Sequence, residues 1–181
     1  ADFAEAKKSL ERNSILLKRH LTIDTIKEYH KLAMASSGVS DIYRKFDVEI
    51  KANPYFKTAT WKKIPQMMDK LMDDYNTILK SSKTVFDAFN LAAFFYNELI
   101  HIHPFEDGNS RTAFLCLLHI LNLFNTRITS IPASFDYSFI QATKGQRKRN
   151  DRDLVELLKE IYVVILNQEE LKLMTELAAG C

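Results

Sequence analysis

One stretch of nine residues, His103-Pro104-Phe105-Glu106-Asp107-Gly108-Asn109-Ser110-Arg111, gathers a base, two acids, a glycine, an amide, a hydroxyl and a guanidinium. His103 can take a proton from an attacking hydroxyl near neutral pH. Asp107 is a hard oxygen ligand, and magnesium takes one or two carboxylates together with phosphate oxygens. Gly108, Asn109 and Ser110 open an apolar helical pattern. Backbone N–H groups without intrahelical partners and the positive end of the dipole therefore face the loop, an anion site suited to phosphates. Arg111 adds a charged fork for a phosphate oxygen, and Phe105 is expected to turn into the core. Base, metal ligand and anion cradle in so short a segment suit transfer of a phosphorus-centred group. A structural reading has Asp107 capping the helix, Arg111 paired with Glu106 and His103 capping the preceding helix. It leaves unexplained why so many different polar groups converge between two apolar helices.

Two helices must hold that loop. Lys83-Thr84 opens one through Val85, Phe86, Phe89, Ala92, Ala93, Tyr96, Leu99 and Ile100, and Leu91, Phe94 and Phe95 make it apolar on further faces, so it is predicted to be central. Pro104 disfavours helix in the residue before it, which ends this helix near Ile102. Asn109 to Phe124 reads as the second buried helix. Upstream, the spacing predicts helices over residues 2–19, from a Thr22 or Asp24 cap to about Met34, and from Ile64 to about Leu79 with Pro65 in its first turn. Phe46 to Ile50 alternates apolar and polar, Asn53-Pro54 marks a turn, and Tyr55 to Thr58 can return, which predicts a small hairpin. Helices are expected at about 135–144, 152–166 and 168–178. The fold class is all-α with one small β-hairpin, in a single domain over 1–181.

Bulk properties agree with a helical domain of this size. The chain has 181 residues, 46% of them hydrophobic, with only four glycines and four prolines. Lys and Arg outnumber Asp and Glu by 25 to 23, an excess too small to argue for nucleic acid or a membrane as the main partner. Two cysteines, Cys116 and Cys181, make no disulfide framework and fit a reducing, cytoplasmic setting. No apolar run reaches about 18 residues, so no membrane span is expected.

The loop resembles the Fic motif, His-Pro-Phe-any-Asp/Glu-Gly-Asn-Gly/Lys-Arg, from His103 through Asn109 and again at Arg111, and the resemblance covers about residues 22–165. It implies a Fic-like helical domain with a hairpin flap. The implied reaction moves AMP from ATP to a Ser, Thr or Tyr hydroxyl of a target protein and releases pyrophosphate. His103 would be the base, Asp107 would hold Mg²⁺ (or Mn²⁺), and Gly108, Asn109, Ser110 and Arg111 would form the phosphate cradle. The flap, around Val48, Glu49, Ile50 and Lys51, would hold an extended target segment by strand addition. Tyr137, with Gln141, falls near where the family lines its base pocket.

Ser110 stands where the family has Gly or Lys, and Phe114 where many adenylylating members carry a second Arg that holds the γ-phosphate. The family's inhibitory Ser/Thr-x-x-x-Glu-Gly/Asn segment is also missing. Its nearest approach is Lys7 to Arg12 around Glu11, so control is expected from a separate inhibitor protein, from expression, or not at all. Two alternatives accompany this reading. One is a Doc-like phosphotransferase, against which Gly108 and Ser110 argue. The other is a degenerate nucleotide- or protein-binding module, against which the intact His103 and Asp107 argue. Three further signals read as structural: His101, close to His103 but without the Cys or His cluster zinc would need; His119, as a satisfied core histidine; and the basic run of Arg147, Lys148, Arg149 and Arg152, as a solvated loop. His20 and His30 read as surface residues.

Overall fold

The computed structural model describes residues 20–35, 37–38, 42–50, 53–143 and 148–179. The helix predicted over 2–19, Lys51 and Arg147 lie outside the described residues.

Among the described residues six α-helices carry the fold: α1 (Ile23–Ala33), α2 (Ile64–Ser81), α3 (Val85–Ile102), α4 (Asn109–Leu123), α5 (Asp136–Ala142) and α6 (Asp151–Ala179), with 3₁₀ turns at Trp61–Lys63 and Ala133–Phe135. Local chemistry sets the starts. Thr22 Oγ1 accepts from the Thr25 N–H at 3.1 Å, and Pro65 occupies the first turn of α2. Thr84 and Asp87 form a reciprocal capping box. α3 ends at Ile102, with His103 as its left-handed cap.

α3 and α4 form the centre. α3 packs on α4, α2 and α6, and α1 packs on α4. Every residue of α4 from Thr112 to Leu121 is buried, so its start, where the loop delivers Asn109, is anchored from within. Each large apolar side chain fully buried here is worth about 1.5–3 kcal/mol. Cys116 is one of these core groups, fully buried, and burial pushes its thiol well above the ordinary range.

Three expectations are corrected. The two predicted C-terminal helices are one, α6, because Asn167-Gln168 offers neither the glycine nor the proline that would stop it. The hairpin has its turn at Pro54-Tyr55 but no strand ladder among the described residues. Its limbs are joined instead by Thr58 Oγ1 donating to Val48 O at 2.6 Å, and Asp47 Oδ1 accepts from the Trp61 N–H at 2.7 Å. Arg149 is no solvated residue. It pairs with Glu98 of α3 and with Asp151, and lies over the Phe94 ring, clasping the start of α6 to α3.

Candidate active site

The loop between α3 and α4 is pinned by side chains from several directions. His103 has φ 51° and ψ 58°, a left-handed conformation that costs a non-glycine residue about 1–2 kcal/mol and persists only where neighbours impose it. Here they do. The His103 N–H donates to Leu99 O at 2.9 Å, and Arg44 Nε donates to His103 O at 2.7 Å. The Arg44 N–H donates to Pro104 O at 2.9 Å. Asn109, 3% exposed, closes the loop on itself: Nδ2 donates to Phe105 O at 2.8 Å and Oδ1 accepts from the Phe105 N–H at 2.9 Å. Phe105 is fully buried and stacks on the His30 ring at 3.8 Å, while His30 Nε2 donates to Asp107 O at 2.8 Å. Gly108 is required on two counts. Its φ is +79°, and a Cβ there would come within 2.6 Å of Met34 Sδ and 3.2 Å of His30 Nε2.

The imidazole is set up as an acceptor. His103 Nδ1 lies 3.3 Å from Ile100 O. A carbonyl can only accept, so Nδ1 carries the hydrogen and the lone pair is on Nε2. Burial, with the positive charge of Arg44, holds the His103 pKa below its ordinary value, against the opposing pull of the Ile100 carbonyl and Asp107. The ring is therefore neutral at neutral pH.

On the other side of the loop, the first N–H groups of α4 point out of the helix end without intrahelical partners. Asp107 Oδ1 accepts from the Gly108 N–H at 2.6 Å, and its Oδ2 lies 3.2 Å from Arg111, which also donates to Ala33 O at 3.4 Å. Arg111 thus pairs with Asp107 one turn away rather than with Glu106. The Asp107 side chain is 66% exposed, and a solvent-exposed pair of this kind is worth at most about 1 kcal/mol, so phosphate and cation can separate it. Among the described residues no cluster of three or more ligands forms a protein-only metal cage. One exposed carboxylate beside a phosphate cradle fits magnesium, which is commonly held jointly with phosphate oxygens and water.

Beside the cradle opens a hollow of about 340 Å³ lined by Tyr96, Ser110, Arg111, Phe114, Ile131 and Phe139, among others. Phe114, 8% exposed, packs edge-on against Phe139 at 5.6 Å. Residues 136, 139, 140 and 143 face this hollow, the i, i+3, i+4, i+7 face of α5 and its end. Tyr137, 74% exposed, is on another face and lines a different hollow with Gln141 and Arg152, so the structure does not bring it to Ser110 and Arg111. Val48, Glu49 and Ile50 form no strand ladder among the described residues, and they lie in the segment whose residues Phe46 and Ala59 bond Arg44. His101 meets the Phe56 ring edge-on, and His119 is buried with Nδ1 at 2.6 Å from the Tyr29 hydroxyl.

Two residues escaped the sequence reading. His30 is fully buried, not at the surface. It shares with Ile26, Tyr29 and Ala33 the buried stripe of α1, and that helical spacing could have found it. Arg44, 4% exposed, sits in a non-helical segment where periodicity gives no signal.

The Fic/DOC family matches residues 20–121. The chain is 28% identical over 118 residues to Protein adenylyltransferase Fic of Nematostella vectensis, covering 65% of this chain and 26% of that protein. It is 32% identical over 114 residues to the ribonucleoside-diphosphate reductase small chain of Ostreid herpesvirus 1, covering 58% and 20%. Among solved structures it is similar in fold to Fic-1 from C. elegans, with a TM-score of 0.76 at 19% identity over 97% of this chain and 52% of that one. It is also similar to an IbpAFic2 variant in complex with adenylylated Cdc42, with a TM-score of 0.59 at 21% identity over 89% and 53%. The chain therefore spans about a quarter or less of the two curated relatives and about half of the two solved chains.

Proposed function

Because this chain belongs to the Fic/DOC family, we propose that it is a protein adenylyltransferase, moving AMP from ATP to a Ser, Thr or Tyr hydroxyl of a target protein and releasing pyrophosphate. The observation that carries this reading is the state of His103, a neutral imidazole with Nδ1 committed to Ile100 O and the Nε2 lone pair left for a proton. Nε2 takes the hydroxyl proton as the target oxygen attacks the α-phosphorus, and the bond to the bridging oxygen of the β-phosphate breaks. The resulting imidazolium keeps its Nδ1–H on Ile100 O.

The N–H groups that open α4 and the Arg111 guanidinium, released from Asp107, hold the phosphate oxygens. Asp107 would hold Mg²⁺ or Mn²⁺, which would neutralise phosphate charge. The neighbouring hollow suits a flat base against Phe139 and Ile131. The segment around Val48, Glu49, Ile50 and Lys51 serves an extended target segment by strand addition through main-chain groups other than the Val48 and Ile50 carbonyls, which Thr58 and Asn53 occupy. The relatives support this assignment by their names: one is called a protein adenylyltransferase, and another was solved with an adenylylated protein.

The test is incubation of the protein in whole lysate with α-labelled or γ-labelled nucleoside triphosphate and a divalent cation. Label from the α position on a protein band is expected. Label from the γ position would instead establish a phosphotransferase, and none from either would leave a binding module.

A further inference from the structure

We propose that Arg44 is a positioning residue that couples the target-holding segment to the base: its guanidinium fastens Phe46 and Ala59 of that segment to the carbonyls of Ile102 and His103, so that movement of the segment resets the imidazole. The part of this inference that concerns a target rests on the adenylyltransferase reading; the mechanical part does not.

A buried guanidinium is costly unless its donors are satisfied. Arg44 is 4% exposed, and its donors go to main-chain carbonyls on three separate pieces of chain. Nε bonds His103 O at 2.7 Å, one terminal nitrogen bonds Phe46 O at 2.6 Å, and the other bonds Ala59 O at 2.5 Å and Ile102 O at 3.4 Å. Its acidic neighbour, Asp47, is 3.7 Å away and 64% exposed. Packing alone would be served as well by an apolar side chain. What an apolar side chain cannot do is hold four carbonyls in one rigid plane, which is the property of a guanidinium.

The bond to His103 O acts on the reacting group. In a left-handed residue the direction of the carbonyl follows ψ, and the side-chain rotamer depends on φ and ψ. Fixing that carbonyl therefore fixes the ring that reaches Ile100 O. At its other end the fork grips the segment next to its internal ties, Asp47 Oδ1 to Trp61 N and Thr58 Oγ1 to Val48 O. A shift of residues 46–59 is passed through the plane of the fork to the His103 carbonyl. Lysine keeps the charge but is a point donor and cannot span these positions.

The test uses the whole chain with ¹⁵N-labelled histidine, reading the imidazole nitrogens by NMR in wild type, Arg44→Lys and Thr58→Val. His103 is expected to leave the single Nδ1–H tautomer in Arg44→Lys and to shift less, in the same direction, in Thr58→Val. The signals of His119, bonded to Tyr29 elsewhere in the core, should stay fixed. In transfer assays kcat should fall ~10–100-fold for Arg44→Lys with KM for the triphosphate unchanged. A folded Arg44→Lys protein with wild-type His103 signals overturns the proposal, as does loss shared equally by all histidines and by triphosphate binding. If Arg44→Lys does not fold, Thr58→Val decides, since an unmoved His103 there shows no coupling. Absence of transfer by the wild type would defeat the adenylyltransferase reading while leaving the NMR result to judge Arg44.

Discussion

The loop at 103–111 and the segment at 42–60 meet through Arg44, yet they are held on opposite terms. In the loop, neighbouring groups tie down the main chain at nearly every step: the Arg44 side chain at His103 and its N–H at Pro104, the Asn109 side chain at both polar atoms of Phe105, and His30 at Asp107 O. In the segment, Val48 to Ile50 form no strand ladder among the described residues, and side-chain and turn bonds from Thr58 and Asn53 take its place. Proton abstraction needs a base held in place before the substrate arrives. Recognition by strand addition needs main-chain groups left available. The contrast predicts that substitutions in the loop remove chemistry or fold, that substitutions at residues 48–50 affect target affinity, and that those at Arg44 and Thr58, where the two regions are coupled, reach the base.

The largest break should come at the base. His103→Ala is expected to lower transfer by about 10²–10⁴-fold, the usual contribution of a general base, with the helical fold retained. Near-normal transfer by a folded His103→Ala protein would falsify the role assigned to Nε2.

Next comes the brace. Asn109→Ala strands the buried N–H and C=O of Phe105, and each unmade bond costs about 1–3 kcal/mol. Denaturant unfolding should show a loss of that order. An unchanged midpoint would mean that the loop is held without Asn109, and that its contrast with the upstream segment is overstated.

Legibility followed the same division. The loop could be read because it is local: nine consecutive residues carry the proposed base, metal ligand and cradle, and the flanking helices announced themselves by period, cap and Pro104. Even there, the side chain of Asn109 is a clamp on Phe105, because a buried amide must satisfy both its donor and its acceptor, so the phosphate role expected of this residue falls to its main-chain N–H. The segment was legible only in its turn. Alternation from Phe46 to Ile50 predicted a strand, but a strand needs a partner at matching register, and here one side-chain bond from Thr58 takes that place. Arg44 was hidden because its partners are carbonyls, which no sequence pattern displays. Tyr137 was a matter of phase: one residue along α5 is about 100° around the helix, enough to turn the side chain into another hollow.

A smaller effect is expected in the segment. Glu49 is exposed, and proline there removes a donor N–H that strand addition would use. Glu49→Pro should leave stability and triphosphate affinity near wild type while raising KM for the protein target. Equal losses of triphosphate affinity and target KM would remove the division of labour between segment and loop.

The smallest effect separates the two regions by proton rather than by mutation. Burial holds the folded His103 pKa below the ordinary value of about 6.5. Between the depressed pKa and about 6.5 the unfolded chain binds a proton at this position that the folded chain does not, so stability rises with pH across that window. The contribution is fully present above the unfolded value and is lost as pH falls through the folded one. Transfer should follow the same direction, holding its plateau to a lower pH than an ordinary histidine base would allow. Urea unfolding of wild type and His103→Gln at several pH values isolates the term, since the other titrating groups are common to both and cancel in the difference. The stability of wild type relative to His103→Gln should climb with pH and level off near neutrality. A difference that stays flat from acid to neutral pH would mean that the ring is solvated like a surface histidine and that the loop is not the closed, pre-set region it was contrasted as. A difference that falls with pH would mean that the folded state prefers the imidazolium, with Asp107 outweighing burial.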